Sequence, residues 1–286
     1  MSEQANVDCA AGFGVRLIGC ADDAALPIGM HDYAESLGCC MLVDKTMFIA
    51  DVLDCDASVV VCCRPEGFGK SMNLSMLKAF LERPAVGRSG QRLFADAQIW
   101  DANSGRYRDE YACYPVISLD FSGAARCGAA VAGVVHNALS GECVRLLPLL
   151  EAPDLARDKV RHIERVARGA ASEDEVASVL GVLIELLEIA CDEQVVLLVD
   201  GYDAAWLGRA SARGASGADP AGIFDRVLFD AIVAARDSLR LTCLMGECPG
   251  PAEAALSLHG CSYCVATPLS AWCDRWFGFS DAEVQC

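Results

Sequence analysis

Apolar residues in this chain follow two rhythms. Unbroken short runs mark strands buried on both faces: Val59-Val-Val61, and Val195-Val-Leu-Leu-Val199, which stops at Asp200. Shorter or mixed runs predict strands at 41–43, 114–121, 240–245 and 262–266. Elsewhere apolar positions recur at helical spacing. Helices are expected at 31–37, stopped by Gly38, and at 45–53 with Asp44 as N-cap. A helix over 70–83 puts Leu74, Leu77 and Leu81 on one stripe beside Met76 and Phe80, and Pro84 ends it.

The second half continues in the same way. Helices are expected over 128–150 and 156–168, the latter closed by Gly169. Ser172-Glu-Asp-Glu175 fits a capping box opening a helix with Val176, Val179, Leu180, Leu183 and Leu187 in register. Asp219-Pro220 caps another, with Phe224, Val227, Leu228, Ala231 and Ala235 on one face. Short helices follow near 251–258 and 269–276, and Ser280–Glu283 forms a capping-box pattern with too little chain after it for a helix. Residues 84–112 read as a polar surface connection and 207–219 as a small-residue loop.

Strands alternating with helices predict an α/β protein with a parallel sheet covered on both faces. No repeat or second domain is evident; 1–25 reads as an N-terminal extension and 26–286 as one domain.

Composition narrows the setting. The chain has 286 residues, 53% of them hydrophobic, without a run long enough to span a membrane or a basic-then-apolar leader. A cytoplasmic protein is expected. The net charge of −17 argues against a general nucleic-acid surface. The 17 cysteines read as reduced, buried small hydrophobes. Cys243, Cys248, Cys261 and Cys264 have spacing that zinc would accept, but Cys243 falls inside an expected strand, and the zinc reading is disfavoured. The four histidines are scattered, without a nucleophile signature.

The chemistry-bearing stretch is Ser58-Val-Val-Val-Cys-Cys-Arg-Pro-Glu-Gly-Phe-Gly-Lys-Ser-Met72. A buried strand, a turn with glycines, then Lys-Ser opening a helix is the layout of a phosphate-binding loop. Backbone N–H groups of Arg64, Pro65, Glu66, Gly67, Phe68, Gly69, Lys70, Ser71 and Met72, proline excepted, would face an anion at a helix N-terminus. Lys70 would neutralise the outer phosphates, and Ser71 would hold Mg²⁺. Asp200, ending an apolar strand, is the matching magnesium carboxylate. Arg209 and Arg213 could approach a phosphate, although solvated loop arginines are commoner, and Trp206 is expected to pack.

Six segments then carry a resemblance: Leu26-Pro-Ile-Gly29, Val43-Asp-Lys-Thr46, Arg64-Pro-Glu-Gly-Phe-Gly-Lys-Ser71, Pro115-Val-Ile-Ser-Leu-Asp-Phe-Ser122, Val196-Leu-Leu-Val-Asp-Gly-Tyr-Asp203 and Phe277-Gly-Phe-Ser-Asp-Ala-Glu-Val284. In this order they resemble the bacterial AAA-ATPase-like family. The resemblance implies a five-stranded, mostly parallel P-loop core between helices, with ATP and Mg²⁺ as ligands. Arg64 in place of the loop's first glycine is that family's habit. Longer members carry a restriction-endonuclease-like domain after this region; the chain stops before it, and no nuclease activity is expected.

The departures fall at the chemistry. The family pattern Asp-Glu-Tyr-Asp is Asp200-Gly201-Tyr202-Asp203 here, so the implied water-orienting glutamate is Gly201. Asp203 is the substitute candidate, and restoring a glutamate at 201 is expected to raise turnover. Glu66-Gly67 stand where the family has two arginines, a repulsion toward phosphate on the order of a few kcal/mol. Met245-Gly246-Glu247 lacks the family's hydroxyl and following basic residue, which leaves no γ-phosphate stabiliser. Lys70, Asp200 and Asp203 are thus the catalytic candidates, and weak or absent ATP hydrolysis is expected. The alternative is a degenerate interaction module that needs no nucleotide. A homo-oligomer or a protein partner is left open.

Overall fold

The computed structural model describes residues 15–19, 27, 29–84, 93–124, 131–211, 222 and 225–284. The chain divides into two compact units. One comprises Met1–Cys55, Arg64–Cys113 and Ala266–Cys286; the other comprises Asp56–Cys63 and Tyr114–Val265.

In the first unit, β1 (Leu17–Gly19) pairs antiparallel with β2 (Met41–Val43). β1 lies where the sequence shows no pattern; three residues are too few to display alternation. Helix α1 (Tyr33–Cys39) runs through Gly38 instead of stopping there, and Asp32 caps it by accepting from the Glu35 N–H. Helix α2 (Met47–Leu53) starts later than expected. Asp44 spends one carboxylate oxygen on the Thr46 N–H and hydroxyl and the other on the Gln98 N–H. Helix α3 (Lys70–Leu81) buries Leu74, Met76, Leu77, Phe80 and Leu81.

The stretch 84–112 is not a plain surface connection. Its described part holds a helical turn at Gln98–Asp101 and 3₁₀ turns over Ala102–Glu110 that are interrupted by left-handed Asn103, Ser104 and Gly105, and it buries Phe94, Ile99 and Tyr107. Phe94 stacks on Tyr33 at 5.2 Å and meets Phe80 edge-on at 5.1 Å. Scattered aromatics in polar sequence give no periodic signal, yet each buries a large area. The expected helix at 269–276 shrinks to a 3₁₀ turn at Asp274–Trp276, because Cys273 takes a left-handed conformation with φ 60°. The Ser280–Glu283 capping box does form, over the single turn Asp281–Val284.

The second unit is built on a sheet of β3 (Val59–Cys63), β4 (Val116–Asp120), β5 (Val195–Asp200), β6 (Leu239–Gly246) and β7 (Tyr263–Ala266). The five strands lie in the order β4-β5-β6-β3-β7, all parallel, and helices flank the sheet. This is consistent with a P-loop NTPase-like fold. Strands β3 and β5 are buried at every residue, as their unbroken apolar runs require. Helices α4 (Val131–Leu146), α5 (Arg157–Ala167) and α6 (Glu173–Cys191) contribute to its core. The Ser172–Glu175 capping box opens α6 with both reciprocal bonds made.

Edge strand β4 is covered by side chains. Glu142 accepts from the Ser118 N–H, and Arg145 donates to the Val116 carbonyl. A 3₁₀ turn at Leu147–Leu149, helix α7 (Ala204–Ser211), a π-helical turn at Asp225–Phe229, and helices α8 (Asp230–Ala234) and α9 (Gly250–Leu258) complete the described unit. Val227, Leu228 and Ala231 are buried, as the helical stripe implied. Asp219, Pro220 and Phe224 lie outside the described residues, as does Arg213. Among the described residues no helix is long and apolar enough to cross a membrane.

Candidate functional site

Strand β3 ends at Cys63 and the glycine loop follows. Gly67 and Gly69 sit at φ 85° and 79°, the left-handed region where a side chain is strained. A Cβ at either would meet nothing within 4 Å, so conformation and not crowding asks for glycine. Gly69 is the N-cap of α3, and its carbonyl accepts from the Asn73 N–H at 2.9 Å. Pro65, Glu66, Gly67, Phe68 and Gly69 are exposed; Lys70, Ser71 and Met72 are half-buried.

The Lys70 ammonium donates to the carbonyls of Arg64 at 2.7 Å and Pro65 at 2.9 Å. It therefore ties the start of the loop to the start of the helix. Arg64 points its side chain elsewhere. Only 2% exposed, it donates to the Ala266 carbonyl at 2.9 Å and lies 4.7 Å from the centre of the Phe277 ring. Asp274 is 3.6 Å away, with its own side chain 61% exposed. A charged hydrogen bond contributes about 1.5–3 kcal/mol and a desolvated cation–π contact about 0.5–2 kcal/mol, against about 0–1 kcal/mol for an exposed ion pair. The carbonyl and the ring therefore dominate, and the Arg64 side chain is an anchor of the loop.

The carboxylate region lies in the other unit. Asp200 ends β5 and is 8% exposed. It is not on the strand next to β3: β6 lies between, with Asp200 level with Met245 and Met245 level with Cys62. At about 4.8 Å per strand the lateral offset is roughly 10 Å. Asp120 stands opposite Asp200 in register at the end of β4. Asp120 is a further strand-end carboxylate, and Val116-Ile-Ser-Leu-Asp120 ends in aspartate just as the β5 run does.

Gly201 has φ 67°, and its N–H donates to the Met245 carbonyl at 2.8 Å. A Cβ there would lie 2.6 Å from the Ser122 nitrogen and 2.7 Å from its Cα. The expectation that a glutamate restored at 201 raises turnover therefore meets a backbone that has no room for one. Asp203 is 1% exposed, and its Oδ2 accepts from the N–H groups of Glu247 at 2.8 Å and Cys248 at 2.6 Å. It shapes the turn after β6.

Tyr202 donates to the Cys248 carbonyl at 2.6 Å, and its hydroxyl lies 3.3 Å from the Cys63 thiol. Burial, with the neighbouring Cys63, pushes the Tyr202 hydroxyl far above its ordinary range. Burial likewise raises the Cys63 thiol to about 12. Neither group is a nucleophile near neutral pH.

Cys243 is buried inside β6, Cys248 is exposed, and Cys261 and Cys264 are half-buried. Among the described residues no group of three or more His, Cys, Asp or Glu side chains could hold a metal ion. Trp206 packs against Phe229 with ring centres 6.3 Å apart.

Residues 27–249 match the model of the AAA-ATPase-like family, described as predicted AAA-ATPase. Neither the curated proteins nor the solved structures yield a match.

Proposed function

The chain belongs to the AAA-ATPase-like family, and from that premise we propose that it binds Mg-ATP at residues 64–72 and hydrolyses it weakly or not at all. The observation that carries this reading is the loop: two left-handed glycines deliver Lys70 and Ser71 onto the first turn of a 12-residue helix. The donor set suits a magnesium-bound triphosphate, with helix-start N–H groups, an ammonium and a hydroxyl. Bound Mg²⁺ would supply charge neutralisation across the phosphates. Ser71 is the hydroxyl assigned to it. Asp200 is the assigned carboxylate, and its part rests on the sequence pattern. The setting that goes with this reading is cytoplasmic.

Weak turnover follows from Gly201 and Asp203. The first has no room for a side chain, and the second gives an oxygen to two backbone N–H groups. Position 201 thus offers no base to orient water, and Asp203 has one carboxylate oxygen already engaged.

A specific contact favours the second reading, an interaction module that needs no nucleotide. Lys70 is held by two loop carbonyls, so the loop keeps its shape through its own lysine.

Thermal denaturation with and without Mg-ATP separates the two. Ligand at 100 times Kd adds about 2.7 kcal/mol. Absence of any shift at millimolar Mg-ATP would overturn the binding reading. If binding is seen, phosphate release by wild type and by Lys70→Ala is compared, and equal rates would exclude hydrolysis at this loop.

A further inference from the structure

Arg64 joins two things that the proposed nucleotide site does not by itself connect. Its carbonyl receives the Lys70 ammonium, and its guanidinium is buried against the C-terminal segment through the Ala266 carbonyl and the Phe277 ring. That segment touches the loop again at its exposed side. The Gly278 N–H donates to the Phe68 carbonyl at 3.2 Å, and a Cβ at Gly278 would stand 3.1 Å from the Phe68 ring. A third contact comes from α3, where Asn73 donates to the Trp276 carbonyl at 2.9 Å.

The same segment is moored on its other side. Lys45 donates to the Arg275 carbonyl at 2.8 Å and pairs with Glu283 at 2.5 Å, and the Trp276 indole donates to Asp51 at 2.5 Å. Between Ala266 and Val284 the regular structure amounts to a 3₁₀ turn and one helical turn. With so little structure of its own, the segment is ordered chiefly by these tethers.

We propose that residues 266–284 are a latch on the glycine loop, with Arg64 as the positioning residue that couples the two. The nucleotide half of this proposal rests on the function proposed above. Seating of the latch holds the loop in its phosphate-receiving shape, so whatever lifts the segment weakens nucleotide binding. By linkage, nucleotide binding tightens the latch by the same factor. A partner that grips Asp274, Phe279 or Val284, all exposed, would thereby be read out at the loop.

The test uses the full chain. Amide exchange is followed at Asn73 and Gly278, whose N–H groups bond to Gly69 and Phe68, in wild type, Arg64→Met, Arg64→Lys and Gly278→Ala. Ile184→Val, deep in the other unit's core, serves as a control for loss of stability alone. Without nucleotide, Arg64→Met and Gly278→Ala are expected to speed exchange at both amides by about tenfold. Arg64→Lys should retain part of the protection, and Ile184→Val should leave both amides as in wild type.

With Mg-ATP as probe, Kd is expected to rise about tenfold in Arg64→Met and Gly278→Ala and not in Ile184→Val, while wild type gains protection at Gly278. Unchanged exchange at Asn73 in both latch variants overturns the latch. Mg-ATP binding that leaves Gly278 exchange untouched overturns the coupling. If wild type binds no Mg-ATP, the proposed function and the coupling fall together, while the nucleotide-free arm decides the latch independently. Should Arg64→Met not fold, Gly278→Ala carries the same comparison.

Discussion

Gly201 lies against Ser122 so closely that a Cβ on the glycine would stand 2.6 Å from the Ser122 nitrogen. The contact is backbone to backbone, so no rotamer change relieves it. The left-handed φ of 67° adds strain for any other residue. Substituting Gly201 with Glu is therefore expected to lower the melting temperature, by strain of about 1–3 kcal/mol or more, without raising phosphate release. A gain in turnover at unchanged stability would show that the strand end can rearrange.

Lys70→Ala removes the donor that the Arg64 and Pro65 carbonyls share. Pro65 is exposed but Arg64 is buried, so one of the two carbonyls loses its donor without ready access to water, and the expected stability loss without nucleotide is about 1–3 kcal/mol. The stabilisation by Mg-ATP should vanish. Thermal denaturation of both proteins across an ATP titration checks the two effects together.

Tyr202→Phe deletes a buried hydroxyl that donates to Cys248 and neighbours Cys63. Cys248 is exposed, so water can replace the lost donor, and the cost is about 0.5–1.5 kcal/mol. At about 2–4 °C per kcal/mol for a chain of this size, a fall in melting temperature of a few degrees is expected.

The Cys63 thiol also predicts an alkaline limb. Its folded value is about 12 against an ordinary 9.0, so the unfolded chain loses that proton first. Stability from this group is fully present below about pH 9 and declines as pH climbs toward 12. Cys63→Ala should make the denaturant midpoint less sensitive to pH over that window.

Glu175 sets the matching acid limb. The Ser172 N–H, then Arg165, hold its carboxyl down at about 2, against an ordinary 4.5. The folded state keeps the charge longer, so the contribution is present above about pH 4.5 and is lost as pH falls toward 2. Helicity followed by circular dichroism should be less acid-sensitive over that range in Glu175→Gln, which starts from a lower stability at neutral pH.

Periodic features are legible in the amino-acid sequence alone. Buried strands β3 and β5, the amphipathic α3 and the capped α6 all announce themselves through local spacing, because each repeats one face of a regular element. The glycine loop was legible for a similar reason, since left-handed backbone leaves glycine as its trace. The three-residue β1 and the aromatic anchors within 93–113 left no such trace, being too short or too irregular.

The partners of Arg64, Gly201 and Asp203 are set only in three dimensions. Arg64 finds its partners at Ala266 and Phe277, about two hundred residues along the chain; Gly201 meets Ser122, and Asp203 meets Glu247 and Cys248. Local spacing specifies which face of a helix or strand is apolar, since neighbours along the chain set it. It says nothing about which distant backbone will occupy the space beside a given Cα, and that proximity decides which partner each of these residues meets.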